Sequence, residues 1–291
     1  MKKDGPLVIT DPGIDDAIAI FYLASKIENC FFVSTYGNVN ENESFRNLRL
    51  ILDIIKSKNY LTEGIAIGPK KIINPIAQKI FGPHGIDGLN GKYAIYRNKV
   101  RYSKNVKFVR SHLELLEMFL DHGKTIITLG PPDFLKLLIN KEELSNKPLE
   151  IIISGCFLHK GRFFSAEFNT FLNLNLINEL SKKFNVTIIP SEVTCSINFN
   201  DLKFETDERL AHRFIRDIIP KNGKILHDVF PIYYFLNKNK KNWFKEELMP
   251  GVIDPIRGKI KFSEKGNQLH IVKNVNIKNL KRDLERSLGK L

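Results

Sequence analysis

The stretch VITDPGIDDAIAIFYLAS, Val8 to Ser25, decides how the rest of the chain is read. A short apolar run ends at Thr10, Asp-Pro-Gly marks a turn, and a longer apolar run follows, so a buried strand hands over to a helix within a few residues. Three carboxylates, Asp11, Asp15 and Asp16, fall at that handover. Like charges this close repel unless they are protonated or bridged by a cation. A hard divalent ion removes the conflict, and calcium in particular accepts carboxylates, backbone carbonyls and waters in flexible geometry. A structural reading competes with this one: Asp15 and Asp16 complement the helix N-terminal dipole and Asp11 begins the turn. The stretch alone leaves both open.

The same alternation continues outward. Segments 6–10, 31–36, 125–129, 150–154 and 186–190 read as buried strands, and 15–27, 43–57, 111–120, 132–140, 173–183, 206–218 and 227–237 as helices. Strands alternating with helices imply parallel βαβ units and an α/β fold with a mostly parallel or mixed central sheet. After Trp243 the pattern changes to two short strands, in GKIKF and LHIVK, and a last helix near 276–288. No repeat, low-complexity tract or linker interrupts residues 1–291, which predicts a single domain. In open α/β sheets ligands bind beyond the carboxyl ends of the strands. Asp11 to Asp16, GNVN, GPPD and GCF all follow predicted strands, so they are expected to converge on one cleft.

Composition narrows the classes. The 43% hydrophobic and 26% charged fractions of this 291-residue chain are those of a globular protein. Neither a signal peptide nor a membrane anchor is read at the N-terminus, which predicts a cytoplasmic protein. Cys30, Cys156 and Cys195 are widely spaced and lack CxxC pairing, so each is expected to be a small buried hydrophobe. The net charge of +13 raises the question of nucleic acid. Its densest part, 91–110, carries seven Lys or Arg, no acid, and Tyr93, Tyr96 and Tyr102. No recognised nucleic-acid motif accompanies it, and a solvated loop is the preferred reading.

Five motifs in order, TDPGIDDAIAI, STYGNVNENESFRN, HGIDGLNG, AEFN and a downstream HD, resemble the inosine-uridine-preferring nucleoside hydrolases from Val8 to about Tyr234. The resemblance implies an α/β fold, calcium at the bottom of a pocket, and cleavage of the N-glycosidic bond of ribonucleosides. Carried position by position, it makes Asp11 a metal ligand and the general base, and Asp16, Asp228 and the Leu129 carbonyl the other ligands. Asp15, Asn38, Glu167 and Asn169 match residues that grip the ribose. His84 matches a residue on the nucleobase side, and His227 the histidine that lends the departing base a proton, a task suited to a group titrating near neutrality. A homodimer or homotetramer is implied as well.

The chain also departs from that pattern. Ile9 replaces an aspartate, and Ser154-Gly155-Cys156 stands for Met-Gly-Gly. Gly130 to Phe134 reads GPPDF, Asn173 takes an aspartate's place, and Arg162 replaces an asparagine beside the sugar. A guanidinium there would add charge near a cationic transition state unless it pointed outward or bound phosphate. Besides an active ribonucleoside hydrolase, the departures leave room for a hydrolase of a phosphorylated ribosyl compound, or for a noncatalytic calcium- or ribose-binding relative.

Overall fold

A computed structural model of the chain describes residues 5–55, 61–69, 84–104, 106–140, 148–158, 169, 175–204, 206–254 and 258–291. The apolar run at the start of the chain forms β1 (Leu7–Thr10), buried along its whole length. It lies at the centre of a ten-stranded sheet with β2 (Asn29–Ser34), β3 (Leu61–Ile67), β4 (Val106–Phe108), β5 (Thr125–Thr128), β6 (Glu150–Ser154), β7 (Asn185–Ile189), β8 (Phe244–Ile253), β9 (Ile260–Phe262) and β10 (Asn267–Val275). The order across the sheet is β4-β3-β2-β1-β5-β6-β7-β10-β8-β9. Pairing is parallel from β4 through to β10, then antiparallel from β10 to β8 and from β8 to β9.

Both faces of the parallel part are covered, which is why its strands are continuous apolar runs rather than alternating ones. Val8, Phe32, Ile127 and Ile152 pack with α1 (Ile14–Ala24), α2 (Glu41–Ile55) and the helices Leu210–Ile218, Val229–Asn237 and Ile277–Leu288. Leu7, Ile9, Ile126, Ile151 and Ile153 point to the other side, against helices His112–Leu120 and Leu176–Leu180 and the turn at Pro132–Leu135. Ile9, the residue in an aspartate's place, thus belongs to the apolar layer. No helix among the described residues is long and apolar enough to cross a membrane.

All five expected strands form, as do the two strands and the helix of the tail. Three strands were not foreseen. In β3 the sequence LTEGIAI is interrupted by Glu63 and Gly64. The glycine is needed, because a Cβ there would come within 2.9 Å of Val109 and 3.0 Å of Leu115. β8, FKEELMPGVI, carries charges, a proline and a glycine, since it lies near the sheet edge and most of it is not buried. β4 is only three residues long. The expected helix at 132–140 splits into a tight turn at Pro132–Leu135, with Pro131 and Pro132 at its start, and a short helix at Lys136–Asn140. Cys30 and Cys156 are buried as expected, but Cys195 is exposed, at the end of a four-residue helix on the surface.

The basic stretch folds back on α2 and is only partly a solvated loop. Asp53, fully buried, accepts from Arg49 Nε at 3.0 Å, Ser103 N at 2.7 Å and Arg97 Nη1 at 3.2 Å. Arg97 lies over the Tyr102 ring at 3.9 Å, and Tyr96 is buried with its hydroxyl on Asp217 at 2.7 Å. Removing one partner from such a network leaves uncompensated buried charge. Asp53→Ala is therefore expected to cost about 3–5 kcal/mol in urea-induced unfolding; a loss below about 1 kcal/mol would show that the 91–103 segment is anchored by something else.

Candidate active site

The strand order reverses beside β1: β2, β3 and β4 extend to one side, and β5, β6 and β7 to the other. That switch point opens a crevice beyond the carboxyl ends of β1 and β5. Asp11 follows β1 and Leu129-Gly130 follows β5, so the topology itself brings them together. Gly37 and Gly130 close on the Asp11 carboxylate from two sides, and a Cβ on either would overlap its oxygens. Asn38 fixes the group further, donating its backbone N–H to Asp11 Oδ2 at 2.8 Å and its side-chain amide to the Asp11 carbonyl at 2.9 Å.

The Pro12-Gly13 turn then starts α1, which carries Asp15 and Asp16 in its first turn. Asp16 accepts from Thr10 Oγ1 at 2.6 Å and from Gly13 N at 3.0 Å. From far along the chain, Asp228 arrives at the head of helix Val229–Asn237, which packs against α1. Ligand oxygens of Asp15, Asp16 and Asp228 lie within 4.8 Å of one another, all three residues buried. Asp11 stands beside this trio, near enough for its charge to act on Asp228. The Leu129 carbonyl accepts from Asn169 Nδ2 at 3.1 Å. Arg162 and Glu167 lie outside the described residues.

Electrostatics divides the site in two. Burial, and then the Asp16 charge, drive Asp11 well above the ordinary carboxylate range against the pull of the Asn38 N–H. Burial and the charges of Asp15, Asp16 and Asp11 push Asp228 the same way. Asp16 is raised to about 6, by burial first and by Asp15 second. Asp15 behaves oppositely: burial raises it, but His84, Lys224 and His227 outweigh burial and hold it below its usual value. Because burial pushes His84 down to about 4, the positive charge facing Asp15 at neutral pH comes from Lys224 and from His227 when protonated.

The donor set fits a hard divalent cation. It consists of oxygens alone, Asp15 Oδ1 is buried with no hydrogen-bond donor, and Asp16 and Asp228 are hydrogen-bonded to each other, which takes a proton that a cation would replace. The resemblance selects Asp11, Asp16, Asp228 and the Leu129 carbonyl as ligands, whereas the closest carboxylate grouping contains Asp15 in place of Asp11.

The histidines lie beside the carboxylates, His84 against Asp15 and the first turn of α1. His84 Nδ1 accepts from Ile14 N at 2.9 Å and lies 3.5 Å from Asp15 Oδ1, while Nε2 meets Lys224 Nζ at 3.0 Å. His227 Nδ1 is 2.8 Å from Thr194 Oγ1, which is also 3.3 Å from the Ser191 carbonyl. Ser191 N in turn donates to the carbonyl of Cys156, a residue held at φ 63° just past β6. The Ser154-Gly155-Cys156 departure thus supports His227. Sequence reasoning missed Thr194 and Lys224. Thr194 carries no local signal for a contact 33 residues away, and Lys224 is one of 45 basic residues. His212 is structural, buried between Asp207 N and the Leu288 carbonyl. Tyr233 stacks on Trp243 at 5.7 Å, away from any free face.

An α/β sheet with a buried carboxylate trio at its switch point and two histidines beside it forms a site able to hold a cation and a polar ligand. The chain belongs to the inosine-uridine preferring nucleoside hydrolase family, whose sequence model matches residues 7–282. It is 31% identical over 176 residues to the pyrimidine-specific ribonucleoside hydrolase RihA of Salmonella enteritidis PT4 (strain P125109), covering 58% of this chain and 54% of the relative. The RihA of Escherichia coli O9:H4 (strain HS) is 30% identical over 173 residues, 57% of this chain and 53% of the relative. The matched stretch spans about half the length of these curated relatives. The fold is that of a plant nucleoside hydrolase, PpNRh1 (TM-score 0.76, 16% identity, 99% of each chain). It is also that of the inosine-uridine preferring nucleoside hydrolase of Bacillus anthracis (TM-score 0.72, 16% identity, 99% of this chain and 100% of that one).

Raised carboxyl pKa values tie stability to pH. Asp16 binds its proton more tightly folded than unfolded, so its contribution is full below the unfolded value near 3.8 and is lost as pH rises through about 6. In the presence of chelator, stability in urea is expected to fall between pH 4 and pH 6, less steeply in Asp16→Asn. A flat profile in both proteins would contradict the crowding of these groups.

Proposed function

We propose that the protein is a calcium-dependent ribonucleoside hydrolase, splitting the N-glycosidic bond to release ribose and a nucleobase. The observation that carries the reading is a buried, cation-ready carboxylate trio with Asp11 beside it and with His84 and His227 close enough to act on Asp15. Calcium, when bound, would supply the charge that offsets the carboxylates and a template for the ribose diol and water.

The remaining chemistry belongs to the chain. Asp11, immobilised by Asn38 and by the two glycines, takes the proton of the attacking water; the burial that raises its proton affinity suits it to this. Asp15 stays ionised and accepts from ribose hydroxyls through its unpartnered Oδ1. Asn38 spends its backbone N–H and one side-chain N–H on Asp11 and turns the other toward Asp16 Oδ2 at 3.5 Å, so the side-chain oxygen is what it offers the sugar. Glu167 and Asn169 complete the ribose contacts in this reading, with Asn169 anchored on the Leu129 carbonyl. As the bond breaks, positive charge spreads over the sugar, as in O-glycoside cleavage, and the carboxylates beneath it stabilise that charge. If the Thr194 hydroxyl donates to the Ser191 carbonyl, it accepts from His227 Nδ1–H, which orients the ring so that Nε2 of its protonated form can donate to the base in this reading. The same reading makes the protein a cytoplasmic homodimer or homotetramer.

Reducing-sugar release from inosine, adenosine, guanosine, uridine and cytidine, with and without chelator, tests the proposal. Chelator-sensitive release is expected from at least one free nucleoside. Release only from 5′-monophosphates would instead make Arg162 a phosphate-reading residue, and silence across the panel with calcium still bound would leave a noncatalytic pocket. Asp11→Asn is expected to lower kcat by about 10²–10⁴-fold with the fold intact by circular dichroism. His227→Ala should slow nucleosides with poor leaving groups most; equal effects on all substrates would remove its acid role.

A further inference from the structure

The basic segment 91–110 is built as a surface rather than left as a loop. Arg49 of α2 is buried, with its Nε on Asp53 at 3.0 Å and its Nη2 on the Ser103 carbonyl at 2.9 Å. Its Nη1 is buried with no hydrogen-bond partner. The guanidinium lies against two aromatic rings, 5.0 Å from the centre of Tyr102 and 4.5 Å from that of Phe108, so their faces receive the charge that no acceptor takes. Arg97 adds a second guanidinium over Tyr102 at 3.9 Å. Yet Tyr102 stays 68% exposed and Phe108 52% exposed. Each ring is fixed from within and open to solvent.

Cations surround these rings. Arg46 on α2 and Arg97 both lie close enough to Tyr93 for their charges to act on it, and Tyr102 is within the same reach. Arg101, Lys104, Lys107 and Arg110 are exposed and make no ion pair among the described residues. The acids that touch the segment are engaged inside it: Asp53 by Arg97 and Ser103, Asp87 by the N–H groups of Gly91 and Tyr93, and Asp217 by the Tyr96 hydroxyl. Glu63, the one acid on the neighbouring β3, is half-buried. Lys107 and Phe108 belong to β4, the outer strand of the sheet, and among the described residues nothing pairs beyond it.

We propose that this surface binds single-stranded nucleic acid, with bases stacking on Tyr102 and Phe108 and phosphates tracked by Arg101, Lys104, Lys107 and Arg110. An acidic peptide would use the cations but gain little from two immobilised open rings, whereas every base has an aromatic face to lay on them. A duplex keeps its base faces stacked inside. A second copy of this chain, at net charge +13, would approach with like charge. The surface contains none of the residues assigned to the carboxylate site, so it stands or falls independently of the hydrolase reading.

Fluorescence anisotropy of a labelled oligothymidine strand of about 12 nucleotides, a span that single-strand binders of this kind cover, tests the surface when the full chain is titrated across a salt series. Affinity is expected to fall with salt at a log–log slope of about −3, from about four phosphate contacts. Changing Arg101→Ala and Lys104→Ala together should roughly halve that slope. Tyr102→Leu should weaken binding about fivefold or more with the slope unchanged, since a stacking face is lost and no cation is. Tyr102→Phe, which keeps the ring, should bind as wild type does. Absence of binding at low salt, or equal or tighter binding of a duplex of the same length, would overturn the proposal. Release of the strand by excess uridine would do so too, by placing it in the pocket. Displacement by polyglutamate, together with wild-type affinity in Tyr102→Leu, would leave a general polyanion surface in its place.

Discussion

Four carboxylates, Asp11, Asp15, Asp16 and Asp228, share one small buried volume at the carboxyl edge of the sheet, and much of the surrounding structure follows from having to keep them there. Burying even one unpaired charge is costly, and burying several of one sign is more so. The chain meets that cost with hydrogen bonds from Thr10, Gly13 and Asn38, with the helix N-terminus under Asp15 and Asp16, and with basic groups facing Asp15. Asp11, Asp16 and Asp228 still have raised proton affinities, so these devices do not balance the account. A cation bound among them would.

Much of this was legible in the sequence, for identifiable reasons. The parallel strands are buried on both faces and read as plain apolar runs, and the handover from β1 to α1 is written in Asp-Pro-Gly followed by an acidic first turn. The rule that ligands gather at strand carboxyl ends points from sequence alone to Asp11 to Asp16, GNVN with Asn38, GPPD and GCF as the rim of one crevice, while Leu129 is reached only through the family resemblance. β3 and β8 escaped because their sequences answer to other demands: close approach of a helix at Gly64, and partial exposure near the sheet edge. Local pattern cannot carry those constraints.

The site shows the same division. Carboxylates clustered within six residues announce themselves, and the HD pair is visible through its motif. What decides the role of each is pairing across the chain. Asp15 enters the trio through the arrival of Asp228, His227 is oriented through Thr194, and His84 meets a lysine 140 residues away. Thr194 and Lys224 are ordinary residues at ordinary positions, and only the fold brings them against the histidines.

Charge geography supplies a further reason to favour catalysis over passive binding. The crowded carboxylates adjoin a basic group of residues, Lys224 and His227, through Asp15. A protein that only held a neutral nucleoside would gain little from a field of this size across it, since uniform binding requires no polarity. Breaking an N-glycosidic bond moves electrons from sugar to base, so positive charge grows over the carboxylates while negative charge grows beside the basic group. A field fixed in that direction before the ligand arrives stabilises the separated charges more than the intact bond, and that difference is what lowers a barrier. The carboxylate crowding that would favour a cation and the polarity that would drive the reaction are therefore the same arrangement of charges.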